Sequence, residues 1–403
     1  MAHAKTLLLL GGSAQQLVAI DAAKRCGYRT VVCDYLPDNP GQHHADAFYL
    51  TSTTDREAVL EVARAENVGG VVAYSSDPAA PTAAYVAEKL GLPTNPLASV
   101  EILSVKTKFR DYLSKAGFPC PRFAGIPAQA TLPQAQALIE PLRLPVVVKP
   151  SDSSGSKGVS VLESLDDLEE ALDKARPFTR NGMLIAEEFI ERATPHIVGG
   201  DIFVKDGRIC FWGLSNCYRD EVQPVNPRGE SIPLELSDSA RRKVQAALQD
   251  LVTSLDIRFG ELNVEVIVGK GEVPYILELG ARAGGGMIPV QFSDLSGIDL
   301  VRANVMCAMG DDPGDLEWQP HDECCASYLM NSDKSGIYRG FTLSPVAKKA
   351  CSRIFEFKER GSHIERYEHS GHMLGVLLFR FDDRNEMNAM LDAITEHVIV
   401  DVE

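Results

Sequence analysis

Residues 259–286, FGELNVEVIVGKGEVPYILELGARAGGG, leave a chain little freedom of fold. Two β-rich runs, Leu262–Val268 and Val273–Ala281, flank Gly269-Lys270-Gly271-Glu272, and a glycine-bearing link of that kind is a hairpin signal. With Val268 set opposite Val273, Asn263 is expected opposite Glu278 and Glu265 opposite Ile276. Side chains alternate faces with period two. One face then carries Val264, Val266, Val268, Tyr275, Leu277 and Leu279, which reads as a core. The other carries Asn263, Glu265, Ile267, Ile276, Glu278, Gly280 and Arg282. Two carboxylates held together on an otherwise apolar sheet repel each other, and a bound cation is a reason for them to be there. A solvated face with a Glu–Arg ion pair is the plainer reading. It is disfavoured because an exposed face would be more generally polar.

At 403 residues the chain is long enough for two to four domains. Its net charge of −16 argues against nucleic acid or an anionic membrane as the main partner, since neither is drawn to a net-negative surface. Nine cysteines, an odd number without a CxxC, fit reduced thiols better than a disulfide framework. The apolar run Leu7–Leu10 is too short for a signal segment or a span. These features predict a cytoplasmic enzyme with no membrane association.

Residues 5–97 alternate strand and helix. Strands are expected at Thr6–Leu10, Thr30–Cys33 and Val68–Ala73, and helices at Ala14–Arg25, Arg56–Ala65 and Ala79–Leu90. Such alternation implies a parallel sheet with helices on both faces. The first turn reads GGSAQQ and lacks the glycines of GxGxxG, so bound NAD is disfavoured. Further on, Val105–Lys115 is an amphipathic helix. Leu144–Lys149 is a strand, followed by the small-residue loop SDSSGSKG (151–158) and a strand at Val159–Leu162. Such a loop can turn its amides toward phosphates, although most Gly/Ser loops are simple turns. Lys149, at the strand end, is either an ordinary terminal charge or a phosphate ligand. Strands are also expected in Met183–Ile190, Asp201–Val204 and Arg208–Leu214, with a hairpin turn at Lys205-Asp206-Gly207. Tyr218–Ile232 reads as a polar loop, either inert or a mobile lid. Asp238–Leu255 is a helix. Beyond 311 lie strand candidates at Cys324–Met330 and Met373–Phe381 and a closing helix near Asn385–His397.

Four signals in order, Lys106 ahead of KAGFP, VVVKPSDSSGSKGV, IAEEFIE and NVEVIV…ILELGAR, make the chain resemble the ATP-grasp superfamily, most closely its carboxylate–amine ligases. The resemblance implies an α/β and α+β architecture in four parts. These are a Rossmann-like domain at 1–97, an ATP-grasp lid lobe at 98–180, a larger lobe with the metal site at 181–310, and a small C-terminal α+β unit at 311–403. It implies ATP and Mg2+ as cofactors, small-molecule acid and amine substrates such as amino acids, and is compatible with a homodimer. Lys106 and Lys149 would contact the nucleotide phosphates. Ser153, Ser154, Ser156 and Gly158 would belong to the loop that closes over them. Glu187, Glu188, Phe189 and Ile190 would form the interlobe hinge, where the backbone of Glu188 and Ile190 reads adenine. Glu265 and Glu278 would hold magnesium, and Arg282 would grip the phosphoryl group or the substrate carboxylate. Arg219, Arg282 and Gly285 are the candidates for acceptor binding. The family's usual second-carboxylate pattern, Glu-x-Asn-x-Arg, departs here to Glu278-Leu279-Gly280-Ala281-Arg282. A glycine replaces the amide, with Asn263 a candidate substitute. The ribose partner stays open between Glu191 and His196.

Three other functions fit the residues less well. A ligase that activates bicarbonate or formate would share the ATP half-site. A non-catalytic nucleotide-binding protein is disfavoured by the intact lysines, carboxylates and arginine. A zinc hydrolase lacks HExxH, and no GxSxG is present.

Overall fold

The computed structural model describes residues 5–219, 226–320 and 323–403. Four parallel strands open the chain: β1 (Thr6–Leu10), β2 (Arg29–Asp34), β3 (Ala47–Leu50) and β4 (Gly70–Val72), in the order β3-β2-β1-β4. Every β1 residue is buried, as expected where helices cover both faces of a parallel sheet. Leu8, Leu10 and Val31 pack under Val59 and Leu60 of the helix Arg56–Ala65, whose first turn is capped by Asp55. On the opposite face, Leu7, Leu9 and Val32 meet Ile20 together with Val301 and Val305 from the distant helix Leu300–Ala308. That second contact ties the leading sheet to the rest of the molecule. Strand β3 has no counterpart among the expectations, because it is a half-covered edge with Leu50 exposed.

A second sheet holds β5 (Phe123–Pro127), β6 (Val146–Pro150), β7 (Ser160–Leu162) and β8 (Met183–Glu188) in antiparallel order β5-β8-β6-β7. Val146, Val148, Leu184 and Ala186 form its core with Leu168 and Leu172 of the helix Leu168–Ala175. Strand β8 stands inside this sheet, so the boundary expected at 180/181 passes ahead of a strand that completes the earlier unit.

The remaining strands are β9 (Ile197–Lys205), β10 (Arg208–Arg219), β11 (Pro227–Ile232), β12 (Gly260–Gly269), β13 (Val273–Gly280), β14 (Cys324–Met330), β15 (Gly336–Leu343), β16 (Cys351–Glu356), β17 (His363–Ile364), β18 (Gly375–Phe381) and β19 (Val398–Val402). Eight of them form one sheet, β13-β12-β9-β10-β11-β14-β18-β16, and three form a small one, β17-β15-β19. Strands from beyond residue 311 therefore continue the sheet that carries the acidic hairpin. The β9–β10 turn has positive φ at Asp206 (53°) and Gly207 (77°), the backbone that a two-residue hairpin loop requires. The helix Asp238–Ser254 lays Val244, Leu248 and Leu251 across Val264, Val266 and Leu279.

The expected loop Tyr218–Ile232 is mostly strand. Strand β10 runs to Arg219 and β11 begins at Pro227, with Cys217 opposite Glu230 and Tyr218 opposite Gly229; residues 220–225 lie outside the described residues. Polarity misled here because Asn216, Glu230 and Ser231 are buried with their polar groups hydrogen-bonded: Asn216 to Ser231 and Pro233, and Glu230 to Ser215. Among the described residues no helix is long and apolar enough to cross a membrane.

Candidate active site

The hairpin forms, but its register differs from the expected one. Gly269 faces Val273, so the link is three residues long. An irregularity between Glu265 and Val266 then lets Leu277 stand as an extra residue, and Glu265 falls directly opposite Glu278, with Asn263 opposite Gly280. The bulge also swaps faces. Ile276 joins Val266 and Leu279 in the core, while Leu277 and Tyr275 turn to the other side beside Ile190, Ile197, Cys217 and Ile267. The sheet thus acquires a small apolar wall next to a facing pair of carboxylates.

Each carboxylate already has a cation. Lys106 Nζ lies 3.8 Å from Glu278 and donates to the Ser153 carbonyl at 2.6 Å. Arg219 lies 2.9 Å from Glu265. Burial pushes the Glu278 carboxyl up from its ordinary value, Lys106 opposes that, and Asp77 and Glu265 add to it. The pair keeps side-chain exposures of 27 % and 26 %, so an ion can reach it from the cleft. Two hard oxygen donors that leave most coordination positions to phosphate oxygens and water fit magnesium. Asn263, the candidate substitute, stands opposite Gly280 and donates its amide N–H groups to the Gly200 carbonyl and to Asp201, at 3.0 and 2.9 Å. Among the described residues no group of three His, Cys, Asp or Glu side chains is arranged to hold a metal by itself.

Lys149 is the last residue but one of β6, with its ammonium 2.8 Å from Glu187, whose other oxygen lies 3.0 Å from Arg110 Nε. Arg110 comes from the helix Lys106–Ala116 and is fully buried, and its guanidinium also donates to the Leu277 carbonyl at 2.9 Å. Burial alone would raise the Glu187 carboxyl, but Arg110 and then Lys149 overcome it and bring it down to about 2. Burial lowers the Lys149 ammonium, with Glu187 opposing. Glu187 therefore acts through its side chain as the centre of a triad. Glu188 gives its N–H to the Arg122 carbonyl, Phe189 is exposed, and Ile190 joins the apolar wall. The loop between β6 and β7 turns through positive φ at Gly155, Ser156 and Gly158, and Ser153 within it is buried.

Arg282 is clasped by Asp77, from the loop after β4, with Nε and Nη2 each donating at 2.7 Å. Beneath it, Asp201 accepts from the Gly284 N–H at 2.8 Å, and Ser75 donates to the Gly284 carbonyl. A Cβ on Gly284 would meet Asp201 at 2.6 Å, whereas one on Gly285 would meet nothing nearer than 3.5 Å. Glycine is thus needed at 284 rather than at 285. Lys106, Ser153, Glu278, Glu265 and Arg219 are linked by these contacts, Arg282 is held by Asp77, and Lys149 and Glu187 join through the helix that carries Lys106 and Arg110. Three participants escape sequence reading: Asp77, Arg110 and Asp201. Arg110 carries a usable signal, since it lies one turn after Lys106 on the same helix face.

The ATP-grasp domain family profile matches residues 103–286. A formate-dependent phosphoribosylglycinamide formyltransferase from Synechococcus sp. is 35 % identical over 419 residues, covering 99 % of this chain and 98 % of that one. A carbamoyl phosphate synthase large chain from Thermotoga petrophila is 28 % identical over 64 % of this chain but only 23 % of its own length. Among solved structures, an L-amino acid ligase from Bacillus licheniformis superposes with a TM-score of 0.82 at 22 % identity over the whole of both chains. A phosphoribosylglycinamide synthetase from Anaerococcus prevotii gives 0.76 at 21 % identity, over 99 % of this chain and all of that one. The chain belongs to the ATP-grasp family of ligases.

Proposed function

We propose that this ligase activates a small organic acid as an acyl phosphate and joins it to an amine, with amino acids as the first substrates to test. One observation carries the reading: Glu265 faces Glu278 across the hairpin, with Lys106 beside them. A carboxylate is a poor acyl donor because oxide would have to leave. Attack of its oxygen on the ATP γ-phosphorus breaks the bond to ADP and gives an acyl phosphate. Amine nitrogen then attacks the carbonyl, phosphate leaves, and the nitrogen gives up a proton, so the products are amide, ADP and phosphate. Magnesium, when bound, neutralises charge on the phosphate oxygens. The chain's own contribution is positioning and counter-charge. Lys106 and Lys149 are placed for the phosphates, the 153–158 loop covers them, the wall of Ile190, Ile267 and Leu277 receives the base, and Glu265 and Glu278 hold the ion. Arg282 and Arg219 face the reacting end. In this reading residues 98–180 with β8 form the lid lobe, and 181–310 with the strands after 311 form the opposite wall.

A second reading has one observation in its favour: the full-length relative is named for formate. ADP release is measured over single amino acids, acid–amine pairs, formate and bicarbonate, with mass spectrometry of the products. A product heavier by acid plus amine minus water supports the first reading. ADP release that needs formate or bicarbonate and no organic acid supports the second. No turnover on any combination, despite tight MgATP binding, sinks both.

A further inference from the structure

Arg282 enters the cleft from the end of β13, but its guanidinium is fixed from the far end of the sequence. Asp77 takes Nε–H and one Nη2–H, and the Ala283 carbonyl takes one Nη1–H at 3.1 Å. A guanidinium carries five N–H groups in one rigid plane. The two left over lie one on each terminal nitrogen, side by side on the remaining edge. That edge is a fork matched to two oxygens of a phosphoryl or carboxylate group. Asp77 comes from the leading sheet, so one carboxylate joins that sheet to the arginine at the end of the hairpin.

Room for this arrangement exists because position 280 has no side chain. A Cβ there would stand 2.9 Å from Asp77 Oδ1 and 3.3 Å from the Arg282 guanidinium. The absent amide of the family pattern and the presence of Asp77 are thus two sides of one fact.

We propose that Asp77 is the positioning residue for Arg282: a carboxylate supplied by the leading sheet, standing in the space Gly280 leaves open, that presents the free edge of the guanidinium to the transferring phosphoryl group. The inference rests on the ATP-ligase reading. Its rival is a plain ion pair that ties the leading sheet to the hairpin. A plain tie affects every nucleotide alike, whereas a positioning residue matters only when a third phosphoryl group is present.

The experiment is calorimetric titration of MgADP, and of MgADP with beryllium fluoride as phosphoryl mimic, into the full-length protein and its variants. Asp77→Ala, the isosteric Asp77→Asn and Gly280→Asn are compared with the exchange Asp77→Gly/Gly280→Asp. Expected is MgADP affinity within about threefold of wild type for every variant, with the fluoride complex weakened about tenfold or more in Asp77→Ala and Gly280→Asn and less in Asp77→Asn. The exchange, which returns a carboxylate to the same side of the guanidinium, recovers part of that loss. Unchanged affinity of Asp77→Ala for the fluoride complex overturns the inference, as does equal weakening of both ligands. Wild-type protein that binds neither ligand overturns the ATP reading and this inference with it, an outcome distinct from selective failure in the variants.

Discussion

The two ends of the cleft use the same residue types under opposite conditions. At the Lys149 end, Glu187 sits between Lys149 and Arg110, all three are buried, and they come from one sheet and one adjoining helix. At the Glu278 end, three carboxylates, Glu265, Glu278 and Asp77, face Lys106, Arg219 and Arg282, drawn from the leading sheet, the first lobe and the larger sheet. The first set is buried and closed upon itself through Glu187, with Arg110 also reaching the Leu277 carbonyl of the larger sheet. The second is assembled from separate units, keeps part of its surface open, and can exchange protein partners for a ligand. The difference teaches that a charge cluster is read by where its members come from, and that the dispersed one has the more open carboxylates for an ion to reach.

The sharpest way to break the comparison is Arg110→Ala. Removing one partner of a buried ion pair leaves an uncompensated charge, which costs about 3–5 kcal/mol. Denaturant unfolding should show that loss, together with poor expression. A loss under about 1 kcal/mol, the value of an exposed pair, would mean that the triad is not closed. Glu278→Gln tests the other end. Stability should hold or rise, because a repelling carboxylate is gone, while ADP formation falls some hundredfold, about 3 kcal/mol of transition-state stabilisation. Full ADP output would remove Glu278 from the metal site.

Acid titration separates the ends further. Glu187 is held down to about 2, first by Arg110 and then by Lys149 against its burial. A free glutamate ionises near ~4.3. Its contribution is therefore complete above about 4.3 and is lost as pH falls toward about 2, an effect on the order of 3 kcal/mol. In Glu187→Gln the acid limb between those values should flatten, although the protein is less stable overall. An acid limb of unchanged steepness would deny Glu187 its depressed carboxyl.

Much of the site was legible because its parts are local. Lys149 follows an apolar strand, the serine-rich loop follows Lys149, and Glu265 and Glu278 lie on two runs joined by a short link. Non-local facts were not legible. The bulge at Leu277 changes which side chains face the core, and an extra residue in a strand is chosen by packing that a two-residue period cannot report. Asp77 meets Arg282 across 205 positions, and a lone aspartate in Ser-Ser-Asp-Pro reads as loop chemistry. Strand β10 was cut short because its polar residues pair inside the sheet, where polarity is satisfied rather than exposed.

The smallest effect concerns the support beneath Arg282, which belongs to neither end. Glu261 and Asp201 are both buried on neighbouring strands, and neither Glu261 oxygen has a donor. Burial raises the Asp201 carboxyl to about 6, against hydrogen bonds from Asn263 and the Gly284 N–H, and raises Glu261 further, with Asp201 adding to it. One proton shared between the two explains the missing donor. Unfolded, both acids ionise near ~4, so the folded state binds more protons above that value. Stability from this pair is full below about 4 and declines as pH rises through about 6. Glu261→Gln supplies a permanent N–H toward Asp201 in place of the shared proton. It should flatten that decline and add about 1 kcal/mol at pH 7.5, the ordinary worth of one buried hydrogen bond. Unfolding curves from pH 5 to 8 decide it. If the variant keeps the wild-type slope, Asp201 holds the Gly284 turn as a plain carboxylate, and the support under Arg282 carries its charge at every working pH.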